Sequence, residues 1–197
     1  MKKMTCGFLL AIILLCGSAM HTSAEPVGKG GARGAFMKGD NTLGFSLGLG
    51  HPHSYYGGST YLPAFIMNYD HGIVDNVGPG TIGIGGLLGW QSSAYKYNSG
   101  HKSTLTNFVI GFRGTYHLTI LKDKNNKFDP YGGLTIGMRI ESHNNDAPGH
   151  NHEEYGGAYP FFGPFIGAKY NFVPQFGAFS ELGYDIAFFK IGIHVNF

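Results

Sequence analysis

From Phe189 to Phe197 the chain alternates without an error. Phe189, Ile191, Ile193, Val195 and Phe197 are large and apolar, and Lys190, Gly192, His194 and Asn196 between them are small or polar. Successive side chains of a strand point to opposite faces, so this stretch is a β-strand with one apolar and one polar face. Its length is about that of one tilted membrane-crossing strand. The pattern recurs upstream. Leu43, Phe45, Leu47 and Leu49 alternate with Gly44, Ser46, Gly48 and Gly50, and Ile82, Ile84, Leu88 and Trp90 face away from Gly83, Gly85 and Gly89. Phe108, Ile110, Phe112, Tyr116 and Leu118 alternate with Val109, Gly111, Arg113, Thr115 and His117; Leu134, Ile136, Met138 and Ile140 alternate with Thr135, Gly137, Arg139 and Glu141. Three less regular segments, 61–70, 161–172 and 177–186, bring the expected number of strands to eight, with ten as the fallback.

The second face decides what the first one meets. A soluble sandwich turns its large apolar face inward and a charged face to water. Here the second face is mostly Gly, Thr and Ser with isolated charges, which suits a narrow polar lumen, and the large apolar residues are then left facing lipid. The 33 glycines have the same meaning, because a tightly curved barrel needs them where backbones bend and inward space is short. Their distribution lacks the three-residue period of collagen, and an aromatic content of 15% is foreign to a disordered linker. Past the N-terminus no apolar run approaches the 18 or so residues of a spanning helix, which excludes a helical membrane protein. The expected fold is therefore an all-β, closed, antiparallel up-and-down transmembrane barrel.

Residues 1–24 carry a different signal. Lys2 and Lys3 precede the apolar run Phe8 to Leu15, and Thr22-Ser23-Ala24 follows, the order of a secretory signal peptide. Lipid modification of Cys16 is the competing reading, disfavoured because Leu15 stands where a small residue is needed. Cleavage after Ala24 removes Cys6 and Cys16 as well, so the mature chain is expected to have no disulfide or thiolate chemistry. It also leaves Lys+Arg equal to Asp+Glu, which argues against nucleic acid as a partner. Residues 25–41, rich in glycine, read as a flexible periplasmic leader, and 42–197 as the barrel.

Short turns are expected at 70–80, 122–129 and 173–176, and outer loops at 51–60, 98–104 and 142–160. A very short fourth outer turn is expected near Asp185. This division follows the rule of short periplasmic turns and longer outer loops.

On the strength of segment 1–24, the opening Gly39-Asp40-Asn41-Thr42-Leu43-Gly44-Phe45 and the ending Gly192-Ile193-His194-Val195-Asn196-Phe197, the chain resembles the small outer-membrane barrel families. These are the transmembrane part of OmpA and the OmpX-like proteins. The resemblance is architectural and covers 42–197. It implies a Gram-negative outer-membrane location among lipid and lipopolysaccharide, a monomer, and delivery by the barrel-assembly machinery through the terminal Phe197. Activity does not follow from a fold.

Candidate functional residues fall into two groups. Arg113, Arg139, Glu141, Lys169, Glu181, Asp185 and Lys190 are expected to face inward. An eight-stranded barrel is just wide enough for side chains to fill, and buried charges require partners, so an internal ion-pair network that plugs and rigidifies the lumen is expected. A narrow ion path is the alternative. The second group is the histidines of the outer loops, His51, His53, His101, His143, His150 and His152, with Glu153 and Glu154 beside them. Imidazole and carboxylate suit Zn, Cu or Ni, which makes His51, His53, His143, His150 and His152 surface metal candidates, although H-x-H in a loop defines no closed geometry. No metal or other cofactor is expected to be required.

An enzyme acting on lipid A is a third reading, but Glu141, Ser142 and His143 are consecutive and cannot face one site on a strand. G-x-S-x-G, P-loop and HExxH patterns are absent, so the chain is expected not to be an enzyme. Tyr55, Tyr56, Tyr61, Trp90, Tyr95, Tyr97, Tyr155 and Tyr159 near the outer boundary, and Tyr69, Tyr116, Tyr131 and Tyr170 near the inner one, read as two interfacial belts. The expected role is structural or interactive, through the outer loops.

Overall fold

The computed structural model describes residues 36–50, 59–96, 102–119, 127–145 and 156–197. Its strands are β1 (Asn41–Leu49), β2 (Ser59–Tyr61), β3 (Ala64–Val77), β4 (Gly80–Lys96) and β5 (Lys102–Leu118). They continue with β6 (Phe128–Asn145), β7 (Gly156–Val173), β8 (Phe176–Gly183) and β9 (Phe189–Asn196). All pairings are antiparallel. Each long strand pairs with its sequence neighbours, β4 with β5 completes the chain of contacts, and β1 pairs with β9 to close the cylinder. The three residues of β2 continue the line of β3 along β4. Eight strands therefore form the barrel wall, not ten. Closure leaves no exposed sheet edge around the barrel's waist, which an open sheet of this apolarity would turn into an aggregation site.

The alternating residues sort as the backbone requires. Phe45, Phe65, Ile84, Ile110, Phe112, Ile136, Phe162, Ile166, Ile191 and Ile193 all point outward and are exposed. Inward stand Asn68, Asp70, Arg113, Thr115, His117, Asp129, Thr135, Lys169, Glu181, Lys190 and His194, all buried. The molecule is polar within and apolar without. On three consecutive strands the outer face changes abruptly: Trp90, Phe108 and Ile140 give way, two residues further toward the same end of the barrel, to Ser92, Thr106 and Ser142. The eight residues of β8 or of β9 measure roughly 26 Å along the strand at about 3.3 Å per residue, a little under the length of a tilted membrane-crossing strand.

Several boundaries differ from the sequence reading. Segment 70–80 is not a turn. β3 runs to Val77 and the reversal takes place at Gly78-Pro79, where Asn76 and Gly78 adopt positive φ of 58° and 59°. Bulges between Gly72 and Val77 break the alternation there and hide the strand. The outer segment 142–160 is shorter than expected, because β6 continues to Asn145 and β7 starts at Gly156. The segment 177–186 stops being strand at Gly183, because Asp185, Ile186 and Ala187 turn into the barrel while Tyr184 and Phe188 stay exposed.

Candidate functional site

The lumen is built in layers. At its middle Arg113 lies between two carboxylates, with Nε 3.0 Å from Asp70 Oδ1 and Nη2 donating to Glu181 Oε1 at 2.6 Å. Tyr131 Oη donates to the same Glu181 oxygen at 2.7 Å, and Lys190 Nζ reaches Glu181 Oε2 at 2.6 Å. Lys190 also donates to Asp185 Oδ2 at 2.6 Å, and Lys169 Nζ stands 3.7 Å from Asp70 Oδ2. Three carboxylates thus face three cations, all buried. The guanidinium of Arg113 lies 4.2 Å over the Phe165 ring, a flat surface that holds it in plane.

Toward the end that carries both β1's start and β9's finish, the lining becomes imidazole and aromatic. His117 Nδ1 lies 2.8 Å from Asp129 Oδ2, and its ring stacks between Tyr131 and Phe36 with centroids at 5.0 and 4.0 Å. Phe36 comes from the segment read as a leader, yet it is buried inside this mouth. The strap that follows it is fastened to β3: Gly39 N–H donates to Gly72 O, Gly72 N–H to Asp40 O, and Lys38 N–H to Asp75 Oδ1. Gly72 is required here, since a Cβ would strike the Met37 carbonyl. His194 Nε2, on β9, lies 2.9 Å from Asn171 Oδ1 on β7, across the intervening β8.

Toward the other end an apolar layer crosses the lumen. Ile186 and Ala187, from the connection between β8 and β9, are buried against Ala64, Ile66, Leu87 and Val109, with Phe161 alongside. Asp185 holds this turn inward by accepting the N–H groups of Ile186 and Ala187 as well as the Lys190 ammonium. Beyond it Arg139 and Glu141 form a separate pair, Nε to Oε1 2.7 Å, each partly exposed.

Of the seven charged residues singled out in the sequence, Arg113, Lys169, Glu181, Asp185 and Lys190 meet in one connected set, and Arg139 with Glu141 stands apart from it. His117 and His194 were read onto the polar face but not into the charge network, and Asp70, Asp129, Tyr131 and Phe36 were not singled out for the lumen. Asp70 shares the inward face with Asn68, but its strand was taken to end there. Tyr131 is a correction to the inner belt: it occupies the inward parity of Thr135 and Arg139, and its hydroxyl is used by Glu181. His51, His53, His101, His150 and His152 lie outside the described residues. His143 lies on β6 opposite Leu105. Among the described residues no group of three or more His, Cys, Asp or Glu could hold a metal ion.

No family model and no curated protein matches the chain. Solved structures do. Ail, the attachment invasion locus protein of Yersinia pestis, aligns with a TM-score of 0.50 at 12% identity, over 82% of this chain and 100% of that one. The outer membrane protein OprG from Pseudomonas aeruginosa aligns with a TM-score of 0.50 at 11% identity, over 83% of this chain and 98% of that one. The N-terminal β-barrel domain of Pseudomonas aeruginosa OprF gives 0.46 at 12% identity, over 81% and 98%. At such identities the likeness is one of fold, that of a closed, antiparallel, eight-stranded β-barrel.

Proposed function

We propose that this chain is an integral outer-membrane barrel of a Gram-negative bacterium whose role is structural or interactive through its outer end. The abrupt change from Trp90, Phe108 and Ile140 to Ser92, Thr106 and Ser142 on the outer face carries the reading. Such a boundary has no use in a soluble sheet, but it is where a strand leaves hydrocarbon. The barrel then stands as a monomer among lipid and lipopolysaccharide, with residues 1–24 directing export. Phe197 sits at the closing seam, exchanging hydrogen bonds with Asn41 across β9 and β1, a suitable place for the assembly machinery to engage the last strand. The inward charges Arg113, Lys169, Glu181, Asp185 and Lys190 serve as a rigid filling of the lumen.

Two tests bear on this reading. In SDS without boiling the membrane-extracted protein is expected to run as a compact species and to shift on boiling. Identical migration in both lanes, with the protein in the soluble periplasmic fraction, would defeat the reading. In planar bilayers the wild type is expected to be silent, because Ile186 and the ion-pair layer both cross the lumen. Asp185→Ala removes the acceptor that holds the turn inward but leaves Arg113 and Lys190 paired with Glu181 across the lumen, so it is expected to stay silent as well. A wild type that conducts steadily would replace the filled-barrel reading with that of a narrow channel.

A further inference from the structure

The barrel wall is uneven. β8 ends at Gly183 and β9 begins at Phe189, whereas β4, β5, β6 and β7 run to Lys96, Lys102, Asn145 and Gly156. β7 pairs with β8 only from Phe165 onward, so among the described residues its first half, 156–164, borders an opening above the low wall. That edge is blunted by proline. Pro164 directs its carbonyl toward β8, where Tyr184 N–H donates to it, and a strand residue points N–H and C=O to the same side. Pro160, of the same parity, therefore also presents no N–H to the opening. Two of the donors that a strand from another chain would need are therefore missing along this edge, and among the described residues nothing pairs with 156–163 on that side.

The tall half-wall has a concave polar face. Gln91, Asn107, Glu141 and Gly157 stand in one register row and Arg139 and Tyr159 in the next, whose other member, Val109, belongs to the apolar layer. The apolar layer of Ile186 separates this face from the ionic layer below. Gln91 is 2% exposed, and its Oε1 has no hydrogen-bond partner among the described residues. Arg139 is neutralised by Glu141, its guanidinium 5.7 Å from the centre of the half-exposed Tyr159 ring. On the convex side the row between these two carries Trp90, Phe108 and Ile140, the last of the apolar band, and the row just beyond carries Ser92, Thr106 and Ser142, so the face lies at the edge of the band, where headgroups begin.

We propose that this face binds the sugar chain of surface lipopolysaccharide, entering sideways over the low wall; the proposal rests on the reading that this end of the barrel faces outward. A face with no net charge offers little to a phosphate or an ammonium. Carboxamides and a guanidinium–carboxylate pair donate and accept side by side, as vicinal hydroxyls do, and an exposed phenol ring can lie under a sugar's C–H face. An unpartnered buried amide oxygen is an unfavourable state that a ligand hydroxyl relieves.

The full chain, folded in detergent micelles as judged by its gel shift, is titrated with the lipid-free core oligosaccharide of rough lipopolysaccharide and followed by saturation-transfer NMR. Transfer to sugar ring protons is expected. The affinity should fall about tenfold in Gln91→Leu/Asn107→Leu, the loss of one to two hydrogen bonds. Ser142→Ala on the convex side should leave it unchanged. Should the double variant lose its gel shift, Tyr159→Ala, on an exposed side chain, carries the test with the same expected loss. No transfer in the wild type, or equal transfer in wild type and variants, overturns the site. Orientation is read separately by labelling Asn145→Cys in intact cells with a membrane-impermeant maleimide. Labelling is expected, and sugar binding without labelling would overturn lipopolysaccharide as the ligand.

Discussion

Replacing Glu181 by leucine is expected to destabilise the folded barrel by about 3–5 kcal/mol, the range for removing one partner of a buried ionic set. The carboxylate accepts from Arg113, Tyr131 and Lys190 at once, at 2.6, 2.7 and 2.6 Å, and is itself 2% exposed. Leucine fits the space but leaves a guanidinium and an ammonium facing each other without the counter-charge between them. The measurement is the midpoint of urea unfolding in micelles, read by the fluorescence of Trp90, the single tryptophan. Glu181→Gln keeps an acceptor for one donor and should lose less. Joining Glu181→Leu with Arg113→Leu and Lys190→Met should recover much of the loss, because the desolvated charges go together; Asp185 is then left without its cation, so recovery should be incomplete. An unchanged midpoint in Glu181→Leu would mean that water, not protein, satisfies these cations.

The second large effect is expected on the opposite face. Phe112 is 84% exposed and sits midway along the outer face of β5, with Ile110 and Phe108 on one side and Tyr116 on the other. Phe112→Arg places a charge near the hydrocarbon midplane, which on a barrel's lipid face costs about 2–4 kcal/mol. The same arginine at Ser142, beyond the apolar band, should cost about 0–1 kcal/mol. The unfolding midpoints in lipid vesicles compare the two. In a water-soluble barrel the order would reverse, since an exposed phenylalanine exchanged for arginine in water is neutral or favourable. Equal effects at the two positions would remove the support that the outer face gives to the membrane reading.

The strands and the division of their faces were legible in the sequence because both are local. A period of two is imposed by the strand backbone itself, so Phe189 to Phe197 declare their two faces with no knowledge of a neighbour. Legibility failed where a bulge shifts the period, as between Gly72 and Val77 in β3, and where position along the chain was given more weight than parity. Tyr131 has the inward parity of Thr135 and Arg139, yet was placed in a belt because it lies near a turn. The inward charges were recognised for the same local reason, since Arg113, Lys190 and Glu181 each sit on the weakly apolar face of their own strand.

Which charges meet was decided only by the tertiary structure. Arg113 on β5 and Glu181 on β8 are 68 residues apart and not on neighbouring strands; they touch because the barrel is narrow and its closing register brings their levels together. Arg139, of the same type and parity, lies beyond the Ile186 layer and pairs with its own strand's Glu141 instead. Phe36 comes from a segment without any period and Ile186 from the end of a less regular one, and their burial depends on space left by glycine and small side chains such as Gly83, Gly89 and Ala64. The sequence by itself determined the strands, their faces and hence the closed barrel, because those follow from backbone geometry residue by residue. The lumen's layers and the uneven wall needed the register of eight strands, which is a property of the closed cylinder and of no segment alone.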